Sequence, residues 1–205
     1  LMGIWGSGPL PHQPFEAPQD EHAAVQPISS DTLSRAPRSF PSRTAQTFDG
    51  FHPRHYTLLI REQVEVAVEV MRLIEMVGVM PSAIQAVLAK LIHKVKAATL
   101  SYRSISLFPS LYRLWSRCRQ SEARTWEQQH RDPMVGHQSG RSVMEIVFLQ
   151  GLRAESGQLA RRKLHTGFFL WDQSNYYEHI CRDKLWERAT ALSFNTAILA
   201  IALNM

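Results

Sequence analysis

Residues 102 to 113 read Tyr102-Arg103-Ser104-Ile105-Ser106-Leu107-Phe108-Pro109-Ser110-Leu111-Tyr112-Arg113, and the fold turns on how this stretch is divided. Tyr102 to Leu107 alternates between polar and apolar side chains. Alternation with a period of two is the mark of a strand. Pro109 then suits the first turn of a helix, where its missing N–H costs nothing. That helix is predicted to run to about Gln129, with Leu111, Leu114, Trp115 and Cys118 on its apolar side. Upstream, Leu91-Ile92 and Val95 are interleaved with Lys90, His93, Lys94 and Lys96, a pattern that fits either strand or helix. Taken as a strand, it pairs with the first, and Leu91 to Leu107 becomes a hairpin with a basic tip.

Further out, Phe48-Asp49-Gly50 marks a turn, and His52-Pro53-Arg54 leads into a helix predicted over Arg54 to Val77. Leu59, Val66, Val70, Leu73 and Val77 recur at spacings of three, four and seven and form its expected apolar stripe. Gly78 stops it, Pro81 restarts the chain, and Ser82 to about Leu88 has the look of a short helix. After Asp132-Pro133, Ser142 is a plausible N-cap for a helix over Val143 to Arg162, with Glu145 completing a capping box. Thr166 to Trp171 is a short apolar run expected to be a buried strand. Helices are predicted over His179 to Leu192 and from Asn195 onward; the apolar end, Thr196 to Met205, reads as a buried helix that has lost its partners. Residues 1 to 45 hold 7 of the 11 prolines and no hydrophobic period, so they are expected to be linker or disordered. Residues 46 to 205 then form one α+β domain, helices packed on a small sheet.

Composition narrows the function. No apolar run reaches the roughly eighteen residues of a membrane span, which argues against a membrane partner. Pro9, Pro11, Pro14 and Pro18 break up any signal-peptide core. Cys118 and Cys181 are the only cysteines, so the chain fits a reducing compartment, nuclear or cytoplasmic, and zinc-ligand spacing is missing. The net charge is +5, and the segment from Lys90 to Lys163 carries 14 Lys/Arg against 5 Asp/Glu. Such a stretch either favours polyanions or forms a solvated basic face.

One constellation can carry chemistry. In Phe169-Leu170-Trp171-Asp172-Gln173-Ser174-Asn175-Tyr176-Tyr177-Glu178-His179, an apolar strand delivers a carboxylate at its end. A strand end holds an oxygen against Mg²⁺ with little slack, and magnesium takes hard oxygen ligands. Two metals about 3.5–4 Å apart would clamp an attacking hydroxyl and a leaving pyrophosphate. The plainer reading of Asp172 is a cap at the strand end.

Here the residues resemble a known family. Asp172 to Glu178 is similar to the first palm motif of reverse transcriptases: an apolar run, Asp, four residues, an aromatic, then Asp. Tyr102 to Arg113 resembles the fingers segment, Arg-Pro-Ile-x-Leu followed by a Tyr-Arg helix. Gly140-Arg141-Ser142 is similar to the Gly-Arg-Ser segment between fingers and palm. Phe48 to Pro53 resembles the Asp-Gly opening of the non-LTR retroelement group, and Val79-Met80-Pro81-Ser82 its helix break. The likeness covers about residues 46 to 205. It implies truncated reverse-transcriptase fingers and front palm: helix-rich, with a basic hairpin and one central palm strand. The implied activity is RNA-directed DNA polymerisation, with an RNA template, a DNA primer and dNTPs as partners. The alternative is a degenerate, non-catalytic nucleic-acid-binding relic; a third reading is a helical domain whose motif matches are chance.

The resemblance also distributes roles. Asp172 would be the catalytic Mg²⁺ ligand, provided the palm is completed. Tyr177 would exclude a ribose 2′-hydroxyl, unless it is a core aromatic. Arg103 would hold the nucleotide triphosphate, assisted by Lys94 or Lys96. Arg113, Arg117, Arg119, Arg124 and Arg141 would line the template path; Arg113, Arg117 and Arg124 repeat at four and seven and are expected on one helix face. Glu178 stands where the family has Asp, Ser104 where it has Pro, and the Gly-rich turn before Arg103 is missing. No Asp-Asp pair occurs in the 205 residues, so the chain by itself is expected to be inactive. Nothing in the residues fixes an oligomeric state.

Overall fold

The computed structural model describes residues 15–16, 25–94, 101–130, 142–159 and 180–205. The expected strand at 166–171 and the Asp172 to Glu178 motif lie outside the described residues. The chain divides into one unit of Leu1–Gln120 with Ala189–Met205, and a second of Ser121–Arg188.

In the first unit, α1 (Ser30–Arg35) begins where Ser29 Oγ accepts the Thr32 amide at 3.2 Å. A 3-10 turn over Ala36–Ser39 follows, started by Pro37. Ile28, Leu33, Ala36 and Phe40 are buried. The expectation of linker over residues 1 to 45 is therefore corrected from Val25 on. Prolines exclude long helices and sheet ladders, yet here they sit at the start of a short turn and leave apolar neighbours free to pack.

A second 3-10 turn, Pro53–Leu58, precedes α2 (Arg61–Val77). The single helix expected from Arg54 is interrupted at Leu59, which is extended (ψ 130°). Ile60 N then donates to Gln63 Oε1 at 3.1 Å and opens α2. Gly78 stops the helix as expected, in the left-handed region at φ 76°. Of the predicted stripe, Leu59 packs against the core, but the members within α2 lie on the wrong side. Val66, Leu73 and Val77 are 65%, 51% and 69% exposed, whereas Val64, Met71 and Ile74 are buried. Both sets satisfy a helical period, and periodicity cannot say which of two apolar faces meets the core. Met71→Ala is expected to cost about 2–5 kcal/mol in urea denaturation, and Leu73→Ala less than about 1 kcal/mol. The reverse ranking would restore the predicted stripe.

After a 3-10 turn at Ser82–Ile84, where a short helix to Leu88 was expected, β1 (Leu88–Lys94) and β2 (Ser101–Leu107) form an antiparallel pair. The ambiguous Lys90 to Val95 segment is thus strand over its described part. Pro109 then starts α3 (Ser110–Cys118), which buries Leu114, Trp115 and Cys118 as predicted, with Leu111 packed against them. Arg119 breaks the expected long helix (ψ 0°), and α4 (Gln120–Gln129) continues separately.

The last helix, α7 (Thr196–Asn204), is capped by Asn195 Oδ1, which accepts the Ile198 amide at 3.1 Å. Ile198 and Ile201 join the core formed by Leu33, Met71, Ile74, Leu114 and Trp115. The Asn204 side chain donates to Gly78 O (3.1 Å) and Phe15 O (2.9 Å) and accepts from Phe15 N (2.8 Å). The helix is buried as expected, but it has its partners.

In the second unit, Trp126 of α4 and His130, the residue just past its end, stack at 4.6 Å. Helix α5 (Val143–Leu159) starts as predicted, with Ser142 Oγ accepting the Glu145 amide at 3.1 Å. Helix α6 spans Arg182–Ala191. The described part of the chain is therefore helix-rich, with one two-stranded antiparallel sheet, an α+β arrangement.

Candidate nucleic-acid interface

The hairpin is the element that displays charge. Its register pairs Lys90 with Ile105, Leu91 with Ser104, Ile92 with Arg103, His93 with Tyr102, and position 94 with Ser101. Directly opposed residues share a face, and faces alternate along each strand. Leu88, Lys90, Ile92, Arg103, Ile105 and Leu107 therefore fall on one side, together with position 94. Ala89, Leu91, His93, Tyr102, Ser104 and Ser106 fall on the other. Lys90 and Arg103 are both exposed. Of the two lysines proposed to assist Arg103, position 94 has the matching register, and Lys96 lies outside the described residues. Sequence reading missed Lys90, because its place on the Arg103 side depends on the register.

The root of the hairpin is fixed by a carboxylate. Asp49 Oδ2 accepts from Ser110 N at 2.8 Å and Ser110 Oγ at 2.7 Å. Its Oδ1 accepts from Thr47 Oγ1 at 2.7 Å and Phe51 N at 3.1 Å. Tyr56 Oη lies 3.3 Å from the same Ser110 hydroxyl. The turn needs Gly50, whose φ is 67°. Burial raises the Asp49 pKa, but the bonds from Thr47, Ser110 and Phe51 outweigh it and hold the carboxyl below its ordinary 3.8. Asp49 thus ties the Asp-Gly turn to the first residue of α3, three residues beyond the end of β2. The turn was visible in the sequence. Its partner, 61 residues away, carried no signal.

The arginines expected along a template path separate into different roles. Arg113 Nη1 donates to Ala45 O at 2.7 Å. The guanidinium carbons of Arg113 and Arg117 lie 5.7 and 4.7 Å from the centroid of the buried Phe40 ring. Both side chains are half-buried, and burial pushes the Arg113 pKa down, with Asp49 opposing and Arg117 reinforcing the shift. They hold α3 against the 36–45 segment through cation–π contacts.

Arg119 is corrected outright. It is 3% exposed and donates from Nε and Nη2 to Glu75 at 2.6 and 2.5 Å, and from Nη1 to Gln26 O at 2.8 Å. Trp115 Nε1 donates to the same Glu75 at 2.8 Å. Arg124 is exposed on α4, beyond the break at Arg119 that ends α3. Arg141, Asp172 and Tyr177 lie outside the described residues. Among the described residues, no group of three metal-ligating side chains comes together, and no helix is long and apolar enough to cross a membrane.

Comparison with known proteins adds no family: no family model, curated protein or solved structure matches this chain.

Proposed function

We propose that this chain is the fingers and front palm of an RNA-directed DNA polymerase of the reverse-transcriptase family, non-LTR type, with RNA template, DNA primer and dNTP as its partners. One observation carries the reading most: an exposed hairpin with Lys90 and Arg103 on one face, joined through Pro109 to the Tyr112-Arg113 helix. That is the order the family resemblance requires. Arg103, with Lys94 or Lys96, holds the triphosphate, because a guanidinium stays charged and grips two phosphate oxygens. Asp172 is the proposed magnesium ligand and Tyr177 the proposed sugar gate. Magnesium, when bound, supplies charge neutralisation on the transferring phosphoryl group.

A second reading, a binding relic without catalysis, is favoured by the sequence itself. Glu178 and Ser104 depart from the family pattern. Both readings require nucleic-acid binding, and the salt dependence of filter binding to an RNA–DNA hybrid tests it. Four cations, each meeting one backbone phosphate, give a log–log slope near about −3.6 on the duplex-DNA scale. Affinity is then expected to fall on the order of 10²-fold between about 50 and 200 mM salt. Absence of binding at the lower salt would remove both readings.

A further inference from the structure

The hairpin lacks cover. A two-stranded sheet is marginal in water unless a further strand or a helix packs on it. Apart from each other, β1 and β2 pack on no described element more than slightly. The face that carries Lys90 and Arg103 also carries Leu88, Ile92 and Ile105, which are 42%, 44% and 43% exposed. Both cations are exposed, and neither makes an ion pair among the described residues. Apolar rungs set with two unpaired cations fit an amphipathic helix with an acidic border. The first unit contains an uncovered helix of that kind. In α2, Val66, Val70, Leu73 and Val77 follow at four, three and four residues and form one exposed stripe beside the buried face. Glu62 precedes Val66 by four residues, and Glu69 precedes Leu73 by four, so both exposed carboxylates border the stripe.

We propose that the α2 stripe of one copy of this chain covers the Lys90–Arg103 face of the hairpin of a second copy. Charge complementarity selects this occupant. The two carboxylates are two turns apart, about 10.5 Å along the helix axis. Lys90 and Arg103 are diagonal neighbours across the strands, roughly 7–8 Å apart, and the flexible lysine stem covers the difference. Glu62 has no ion pair among the described residues, and the Glu69–Arg72 pair is solvent-exposed, so little is lost when Glu69 turns to a new cation. A second α2 laid on the stripe would bring no cation to these carboxylates, because Arg61 and Arg72 lie on the opposite side of the helix. Each copy carries both surfaces, so two copies can make the contact twice, once in each direction. The inference goes beyond the nucleic-acid reading. It uses the same hairpin face, so a second copy and a polyphosphate compete for it.

The test is self-association of the full chain, free of nucleic acid, by sedimentation equilibrium. A helix on a hairpin is a small interface, so dimers are expected to form in the range of about 1–100 µM at low salt and to weaken as salt rises. Glu62→Lys combined with Glu69→Lys should weaken association at least roughly tenfold, and Lys90→Glu combined with Arg103→Glu likewise, because each sets like charges together. An equimolar mixture of the two double variants should recover the wild-type constant, since in the mixed pair both contacts join opposite charges. Leu73→Asp, at an exposed position, should weaken association by a similar factor without moving the melting midpoint. Should the lysine variant lose helix by circular dichroism, the hairpin variant and Leu73→Asp carry the test. A wild type still monomeric at about 100 µM overturns the inference and leaves the nucleic-acid reading standing, because no nucleic acid is present. Association that both double variants retain overturns it, as does a mixture of the two folded variants that recovers nothing.

Discussion

Arg119→Met is expected to destabilise the first unit by about 3–5 kcal/mol, the largest effect of any single substitution considered. The reason is asymmetry rather than the strength of the pair. Arg119 and Glu75 have side chains 3% and 10% exposed, so their mutual attraction mainly offsets the cost of leaving water. Removing the arginine leaves the Glu75 carboxylate with the Trp115 indole N–H donor but without its counter-charge. It also unties Gln26, whose carbonyl Arg119 holds. In thermal melts the midpoint should fall by roughly 10 °C or more. The double variant Arg119→Met with Glu75→Gln should recover part of the loss, since no buried charge then remains. A single-variant loss under about 1 kcal/mol would mean that Arg119 is exposed and available to a phosphate, as the sequence alone had it.

Asp49→Ala is the second large effect, about 3 kcal/mol, because hydrogen bonds to an ionised acceptor are the stronger kind. Four donors lose their acceptor together, and two of them belong to the buried Ser110. The same carboxylate sets an acid limit. Its folded pKa lies below the unfolded 3.8, so its contribution is fully present above that value and is lost as pH falls through the lower folded one. Melting the wild type and Asp49→Asn from pH 5 down to pH 2 should show the wild type losing its advantage only in that acid window. An advantage unchanged down to pH 2 would contradict the latch.

How much was legible follows from which forces were local. The β2 strand, the Pro109 helix start, the Gly78 stop, the Ser142 cap and the helix start near Asn195 each rest on a few adjacent residues, and each stands in the structure. Helix α2 shows the limit: its two apolar faces have the same period, and only the distant Leu114 and Ile201 decide between them. Arg119 shows another. A basic residue on a basic helix reads as solvated or phosphate-seeking, and its burial depends on Glu75, 44 residues away. Arg113 and Arg117 were placed on one face correctly, but their partner Phe40 lay in a stretch rich in proline. The hairpin was read as a possibility, and its register, which puts Lys90 on the Arg103 side, could not be read at all.

The proposed site asserts that the Arg103 side of the hairpin receives a nucleotide triphosphate. Photo-crosslinking with an azido-dNTP, followed by peptide mapping, measures this directly. Label is expected within residues 88 to 107, competed by inorganic triphosphate and reduced at least roughly tenfold by Arg103→Ala. Label elsewhere, or label in the hairpin that Arg103→Ala leaves unchanged, would contradict the account.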